Sequence, residues 1–362
     1  MKSHLLALTM LFILGGLNIN AQEQKMKPDE SRNSGSAVRS PIITMQLKGE
    51  IHTPSADLKW RPILTKKYID FEPQTADEAL IKQIKKQKLK LKQQDANSRN
   101  IHSEESTQSV TPVIGTSYLG NTNNGFSPLD NSMAISNAGI IVSVSNTTIE
   151  YDDINGTNLF YNDLITFIND PNITGVCDPV VIYDPGSDRF IFFCQVSPLG
   201  NNSRILIFFS QTNNPNAGGW WYYNFSGDPL NNGDAFDYPK LAVSTNELFI
   251  TGNLFSEPSG VFDQAVIFQI DKLAGYAGLA MNSLNWSAIS ASPFTLLPVS
   301  HGQNSTFGPG IYLVATSVSG GSTIKFYTLT NDINNSPALN YFSVPTTAYS
   351  VAADANQLGT TC

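Results

Sequence analysis

The chain has 362 residues, of which 41% are hydrophobic and 14% are charged, and its net charge is −8. The charge is divided unequally, because residues 1–110 hold 17 Lys and Arg against 12 Asp and Glu, whereas residues 111–362 hold 5 against 18. This acidic main body argues against nucleic acid and anionic lipid surfaces as its partners. The length allows one large domain or two smaller ones.

The first residues, MKSHLLALTMLFILGGLNINAQ, predict a secretory signal peptide over residues 1–21. Lys2 supplies the positive charge, Leu5 to Leu17 form an apolar stretch that is short for a membrane span, and Ala21 is a small residue at the cleavage point. No later run is apolar and long enough to cross a bilayer. We therefore expect a mature chain without a membrane span, secreted or held at the cell surface.

Residues 22–110 predict a polar N-terminal extension. Within it, ADEALIKQIKKQKLKLKQQDA predicts a basic helix near residues 76–96, because its acids come early and its lysines late, as the helix dipole favours. Such a helix would suit a membrane surface or an anionic partner. Its apolar stripe is thin, however, and a solvated helix explains the pattern more simply.

From residue 111, short apolar runs alternate with turn clusters, a pattern typical of all-β folds. The runs form four groups of four, from SMAIS, GIIVSVS, TTIEYDD and TNLFY to HGQNSTF, GIYLVATS, STIKFYTLT and ALNYFSV. Three groups open with Asp130, Asp178 and Asp237, at spacings of 48 and 59 residues. Four-stranded repeats of this size predict a β-propeller over residues 111–362, since radial stacking buries the faces that a single sheet would expose. The main competitor, a sandwich, does not predict such repeats.

The stretch CDPVVIYDPGSDRFIFFCQVS, from Cys177 to Ser197, predicts the two innermost strands of one blade. Pro185 to Asp188 supply the turn, and Val, Ile and Phe favour the flanking strands. Cys177 and Cys194 lie on the two strands of this hairpin, at positions whose side chains should face the same side of the sheet. A disulfide between them would suit an exported protein. The alternative is two small buried residues.

The segment GNTNNGFSPLDNSMAISNAGIIVSVSNTTIEYDDINGT resembles the first blade of a family of secreted bacterial propeller proteins, and DPVVIYDPGSDRFIFF and DYPKLAVSTNELFITGNLF resemble its later blades. Many members carry a C-terminal sorting domain for type IX secretion. The architecture is also similar to the BNR, or sialidase-type, propellers. The Asp-box of those proteins is absent, because SQTNNPNAGGWW keeps Ser210, Thr212, Gly219 and Trp220 without its Asp and spacing.

The resemblance implies further blades, and the chain ends with SVPTTAYSVAADANQLGTTC. Ala348 to Ala353 look like the first strand of a fifth blade, so we expect four blades and the start of a fifth in a C-terminally truncated propeller. Such an open array would leave bare sheet edges. The alternative is a small ring that a strand around Val113–Leu119 closes with the C-terminal residues.

Familiar catalytic motifs are absent from residues 111–362. This part has one histidine, His301, so no multi-histidine zinc or iron site is expected, and a structural role for His301 is the simpler interpretation. No Gly-x-Ser-x-Gly elbow, P-loop or dinucleotide fingerprint occurs. No cofactor is expected, apart from the possibility of calcium. Asp153 to Asn158 resemble a piece of a calcium loop, but an Asn-Gly hairpin explains them more simply.

The aspartates that open the groups are the better candidates for chemistry. Innermost strands line the channel of a propeller, so Asp130, Asp178 and Asp237 are expected at one mouth, where close carboxylates suit acid–base catalysis or a calcium ion. Asp178-Pro179 is similar to the Asp-Pro of furanosidase-type five-bladed propellers, which also require a Glu acid and a third Asp. No glutamate is clearly placed for that role. The alternative is that each Asp locks a turn through backbone bonds, which its repetition favours.

An aromatic row gives a second candidate site. Trp220, Trp221 and Tyr223 lie on one predicted outer strand, where alternate side chains face opposite ways. Exposed members of the row would stack on sugars or anchor a protein partner. Packing between blades is the alternative, and we favour it.

Together these patterns predict an exported propeller that acts as a non-catalytic binding or adhesion module for an extracellular glycan or protein ligand. The alternative is a propeller glycoside hydrolase that uses Asp130, Asp178 and Asp237. An enzyme should place a distinct Glu or Tyr beside these aspartates, whereas a binding module should show them bonded to the backbone.

Overall fold

A computed structural model of the chain describes residues 37–52, 83, 86–90, 117–121, 129–196, 203–257, 259–299 and 308–351. The predicted signal peptide and His301 fall outside these residues. Of the predicted basic helix, residue 83 and residues 86–90 are described, and they are helical. Within the described part of the chain, no helix has the length and apolar character needed to span a membrane.

Strands dominate the structure. In chain order they are β1 (Val38–Arg39), β2 (Ile43–Met45), β3 (Gly49–Ile51), β4 (Ser132–Ile135), β5 (Ile140–Val144), β6 (Thr148–Asp153), β7 (Asn158–Asp163), β8 (Cys177–Asp184), β9 (Arg189–Val196), β10 (Arg204–Ser210), β11 (Trp220–Ser226), β12 (Asp234–Val243), β13 (Glu247–Ser256), β14 (Val261–Asp271), β15 (Met281–Ser287), β16 (Leu297–Pro298), β17 (Gly310–Ala315), β18 (Gly320–Thr330) and β19 (Ala338–Ser350). Three short helices connect them: α1 (Leu164–Ile168), α2 (Pro215–Gly218) and α3 (Lys272–Tyr276).

The strands from β4 onward form four antiparallel sheets of four consecutive strands, β4–β7, β8–β11, β12–β15 and β16–β19, which we call the first to fourth sheets. Their first strands lie side by side, because β4 contacts β8, β8 contacts β12, and β12 contacts β16. These are the innermost strands of successive blades. The prediction of an all-β propeller with four-stranded blades is confirmed.

Three buried clusters lie between successive sheets. The cluster between the first and second sheets contains Tyr151, Phe192 and Trp220, the next contains Phe193 and Phe236, and the last joins the third and fourth sheets. Strands β9 and β10 are buried on both faces, which explains their nearly continuous apolar sequences RFIFFCQV and RILIFFS. A fully buried side chain of this size contributes about 1.5–3 kcal/mol, so the contacts between sheets dominate the stability of the array.

The predicted hairpin from Cys177 to Ser197 is confirmed as β8 and β9, joined by a turn at residues 185–188, with Ser197 outside the described residues. The predicted disulfide is wrong, because Cys177 and Cys194 are both free and buried. A bulge between Cys177 and Val180 shifts the register, so Cys177 lies opposite Gln195. One extra residue in a strand reverses the face of its neighbours, which removes the parity that the sequence suggested.

The ends of the fourth sheet also differ from expectation. Its first strand is β16, before the predicted HGQNSTF strand, and residues 301–307 lie outside the described part. Ala348 does not begin a new strand, because β19 continues to Ser350, which pairs with Gly320 on β18. Of residues 113–119, only 117–119 are described, and they lie outside any strand.

Residues 37–52 form a segment that the sequence pattern did not predict as strand, and we call it the N-terminal strap. Its strands β1 and β2 pair with β15, the outermost strand of the third sheet, and β3 pairs with β11, the outermost strand of the second sheet. The strap therefore covers two outer edges that would otherwise present unpaired backbone groups.

Candidate functional site

The three predicted aspartates lie around one cavity of about 640 Å³ at the start of the innermost strands. We call it the mouth cavity, and it is lined by residues 130–132, 178–180, 237–241 and 297–298. Asp130, Asp178 and Asp237 therefore come from three successive sheets to one end of the array. This grouping is what the repeat register predicts.

The backbone at these positions shares an unusual conformation. Asp130 has a φ of 42°, Asp178 a φ of 49° and Tyr238, which follows Asp237, a φ of 60°. Asp and Asn accept this left-handed region more readily than other residues with a side chain. In the fourth sheet Thr295 has a φ of 57° and precedes β16, so it takes the place that Asp holds in the other sheets.

In the first three sheets, a side-chain amide on or after the second strand bonds the opening residue of the next sheet. In the first sheet, Asn146 donates from Nδ2 to Oδ2 of Asp130 at 2.9 Å. Its Oδ1 accepts the backbone N–H of Asp178 at 2.8 Å. One amide therefore joins the entrances of the first and second sheets.

Gln195 on β9 repeats this arrangement in the second sheet. Its Nε2 donates to Oδ2 of Asp178, and also to Oδ1 of Asp237 at 3.0 Å. Gln195 is 1% exposed, and no donor among the described residues reaches its Oε1. A buried acceptor without a donor is uncommon and unfavourable.

Asn253 on β13 is the equivalent residue of the third sheet, since it lies opposite Asp237. Its Oδ1 accepts the backbone N–H of Thr295 at 3.1 Å, and its Nδ2 lies 3.4 Å from Oγ1 of Thr295. We call Asn146, Gln195 and Asn253 the amide belt. Their spacings of 49 and 58 residues nearly repeat those of the aspartates. This period is visible in the sequence, but we did not predict the belt from it.

The aspartates were expected to accept backbone hydrogen bonds if their role is structural. Asp237 does so, because its Oδ1 accepts the N–H of Tyr238 at 2.7 Å. The bonds described above for Asp130 and Asp178 come instead from side-chain amides of the belt. Each aspartate is thus tied into the contacts between sheets and also faces the cavity.

Lys240 brings a positive charge to the mouth cavity. Its Nζ donates to the carbonyl of Pro239 at 3.0 Å. Burial lowers the pKa of Lys240, while the charges of Asp178 and Asp237 act in the opposite direction. Of the residues that line the cavity in the described structure, Lys240 alone is cationic, against three carboxylates.

The mouth cavity is not a preformed metal site in the part of the chain that is described, because no three His, Cys, Asp or Glu side chains come close enough together there to hold an ion. The calcium-like piece at residues 153–158 is a hairpin turn. Asp153 Oδ1 accepts the backbone N–H groups of Asn155 and Thr157, both at 2.8 Å, and these bonds lower the pKa of Asp153.

The glutamates of the main body lie away from the mouth, and none of the described residues lining the cavity is a glutamate. Glu247 is buried, accepts bonds from Gln269 and from the backbone N–H of Ile333, and has its pKa raised to about 7 by burial. Burial and the neighbouring Asp152 raise the pKa of Glu150 to about 7. Tyr238, which lines the cavity, is the tyrosine beside the aspartates.

The aromatic candidates are not an exposed ligand surface. Trp220 is fully buried and donates from Nε1 to the hydroxyl of Tyr151 at 2.7 Å. Tyr223 is also fully buried, with its hydroxyl 2.7 Å from the carbonyl of Leu279. Trp221 is half-buried and donates to the carbonyl of Tyr276 at 3.1 Å. The expectation of ligand binding is corrected here, because packing between sheets uses these side chains.

No family model and no curated protein matches the chain. The resemblance to a secreted bacterial propeller family therefore stays a prediction. Among solved structures, the chain is similar to the GH43 endo-arabinanase from Bacillus licheniformis at 12% identity, with a TM-score of 0.24 over 60% of this chain and 93% of that one. Such a likeness is too weak to transfer an activity.

Proposed function

We propose that this chain is an exported, cell-surface β-propeller that binds a glycan in its mouth cavity without cleaving it. The observation that carries the proposal is the gathering of Asp130, Asp178 and Asp237 around one open cavity. Carboxylates accept hydrogen bonds from sugar hydroxyl groups, and Tyr238 offers an aromatic ring beside them. Sites for small ligands combine such placed polar groups with apolar walls.

Two observations favour binding over catalysis. First, the aspartates occupy equivalent positions and are bonded within the contacts between sheets, which is a repeated structural role. Second, the general acid of a glycosidase is a carboxyl group with a raised pKa, and the two carboxyl groups whose pKa is raised to about 7 here, Glu150 and Glu247, do not line the cavity. The glutamates with a raised pKa, Glu150 and Glu247, are bonded elsewhere.

A glycoside hydrolase remains the second candidate because of the separation of two carboxylates. One nitrogen of Gln195 contacts Asp178 and Asp237, at 2.5 and 3.0 Å, so their bonded oxygens are no further apart than the sum of these distances. Retaining glycosidases place their carboxyl groups roughly 5–5.5 Å apart. In this alternative, Asp178 and Asp237 would act as the pair.

Binding of the whole chain to immobilised arabinan-type, sialylated and other glycans tests the proposal. We expect Asp178→Asn and Asp237→Asn to weaken binding, and Asp263→Asn, on β14 outside the cavity, to leave it unchanged. Soluble products measured in parallel distinguish the two candidates. Products that disappear in the same mouth variants would replace binding with hydrolysis, and retention of full binding by both variants would exclude the mouth cavity.

A further inference from the structure

The first two sheets each direct a row of side chains, one from every strand, into the contact with the next sheet. Residues paired directly across antiparallel strands share a face of the sheet. In the first sheet the row consists of Ala134, Val142, Tyr151 and Phe160. In the second sheet it consists of Val180, Phe193, Ile207 and Tyr223. A transverse apolar row is therefore the means by which one sheet packs against the next.

The fourth sheet carries a row of the same kind that none of the described sheets covers. It crosses all four strands and consists of Leu297, Val314, Phe326 and Phe342. The rings of Phe326 and Phe342 are stacked, with 5.5 Å between their centroids. The adjacent residues Leu313 and Tyr327 point the other way and belong to the cluster shared with the third sheet. The row thus lies on the side of the sheet that faces away from the rest of the array.

We call this side of the fourth sheet the free face. Beside the row, it includes Tyr312, Ile324, Thr328, Asn340 and Val344. Tyr312 is 49% exposed and Leu297 is 45% exposed. None of these residues is charged, although residues 111–362 hold 18 acidic residues against 5 basic ones. Negative charge keeps two copies of such a body apart, so an uncharged apolar face is the surface through which they can meet.

The opposite end of the array does not match the free face. Glu150 and Asp152 lie on the side of the first sheet that faces away from the second, and the amide of Asn158 donates to both. The same side is covered in part by residues 117–121, because Oδ1 of Asn121 accepts the hydroxyl of Thr148 at 2.7 Å. A polar side already in contact with its own chain is a poor partner for an apolar one. The surface that matches the free face is the free face of a second copy.

We propose that two copies of this chain associate through their free faces, the fourth sheet of one packing on the fourth sheet of the other. This contact continues between chains the packing of sheet on sheet that holds each chain together, with about 10 Å between the two sheets. It closes at two copies, because each copy offers the same surface. A four-stranded face supplies only a few hundred Å², below the roughly 800 Å² per partner of a standard interface, so the dimer is reversible. The proposal is independent of glycan binding in the mouth cavity.

Analytical ultracentrifugation of the whole chain, at about 1 to 100 µM, tests the proposal. We expect a monomer–dimer equilibrium within this range. Tyr312→Glu and Asn340→Glu each bring like charges into the contact and should raise the dissociation constant at least about tenfold. Both side chains are exposed in the single chain, so both variants should fold, which thermal denaturation verifies. Met133→Glu is the matched control, because Met133 is 72% exposed on the first sheet, and its dissociation constant should equal that of the wild type.

Four results would overturn the proposal. A chain that stays monomeric throughout the range would do so, as would a dimer that both face variants leave intact. Dissociation by Met133→Glu would place the contact at the first sheet instead. Growth beyond two copies would reveal a head-to-tail contact, which does not close at a dimer. Raising the salt concentration provides an independent check, because an apolar contact between acidic bodies should be kept or strengthened, whereas one made of ion pairs would weaken.

Discussion

The ammonium of Lys272 lies 2.6 Å from the carboxylate of Asp184, and neither side chain is exposed. Lys272 begins α3 after the third strand of the third sheet, and Asp184 ends β8, so the pair joins the third sheet to the second. The carbonyl of Ser244 and the hydroxyl of Tyr276 complete the contacts, at 2.5 Å from Lys272 and 3.0 Å from Asp184. The pair is therefore fully enclosed by groups that bond to it.

Removing one member of this pair is expected to destabilise the protein strongly. Lys272→Met leaves the carboxylate of Asp184 buried without its partner, which costs about 3–5 kcal/mol. Chemical denaturation measures the change in the free energy of unfolding. The double variant Asp184→Leu/Lys272→Met should recover part of the loss, since neither charge is then stranded. Similar stability of wild type and Lys272→Met would show that the pair contributes little.

The buried carboxyl group of Glu247 predicts a loss of stability as pH rises. Its pKa is about 7 in the folded protein against an ordinary value of 4.5, so the folded state binds more protons between these two values. Its contribution is complete below pH 4.5, falls as pH rises through 7, and amounts to about 3 kcal/mol.

Measuring the free energy of unfolding at pH 5 and pH 8 tests whether stability falls as pH rises. Glu247→Gln cannot ionise and should reduce the difference between the two pH values, whereas Glu50→Gln, at an exposed position in the strap, should keep it. A wild type that gains stability between pH 5 and pH 8 would contradict the prediction.

The two cysteines of the second sheet should be unreactive thiols in the folded protein. Burial raises the pKa of both Cys177 and Cys194 well above the ordinary value, and the thiolate is the reactive form. In a Cys362→Ser background, alkylation followed by mass spectrometry should label neither residue in native buffer and both in denaturant. Labelling only after addition of a reductant would instead reveal the disulfide.

Docking of the strap against β11 should depend on Gly219. This residue has a φ of 87°, and a Cβ placed on it would lie 2.5 Å from the carbonyl oxygen of Ile51 on β3. Gly219→Ala is therefore expected to displace β3 and to cost about 1–3 kcal/mol. Limited proteolysis should then cut within residues 37–52. Gly49→Ala is the matched control, because nothing lies within 4 Å of its Cβ, and equal proteolysis of both variants would contradict the prediction.

Features that depend on local pattern could be predicted from the sequence. The apolar runs and the Pro-Gly turn placed β8 and β9 correctly, and the repeated aspartates placed one side of the mouth cavity. Features that depend on partners distant in the sequence could not be predicted in this way. Thr295 replaces the expected Asp in the fourth sheet because its backbone conformation, and not its charge, is shared. The bulge beside Cys177 does have a local signal, because it contains Pro179, but we did not use it.

We predicted neither the amide belt nor the strap from the sequence, and the reasons differ. Asn146, Gln195 and Asn253 recur with the period of the aspartates, so comparing the repeats position by position would have found them. Residues 37–52 contain one proline, Pro41, and only a short polar–apolar alternation around Met45 and Leu47, which we did not take as a strand signal. Their strand structure comes from the outer edges that they meet, which is a property of β11 and β15.

The pairing of the strap also constrains the order of folding. Val38 pairs with Ser287, and Ile51 with Trp220, so the segment made first during synthesis completes edges that are made much later. Contacts so distant along the chain slow folding, because a long loop must close before they form. The second and third sheets can stack before the strap pairs with them. Until it does, their outermost strands present unpaired backbone groups to other chains. The interval between these two steps is when this protein is most prone to associate wrongly.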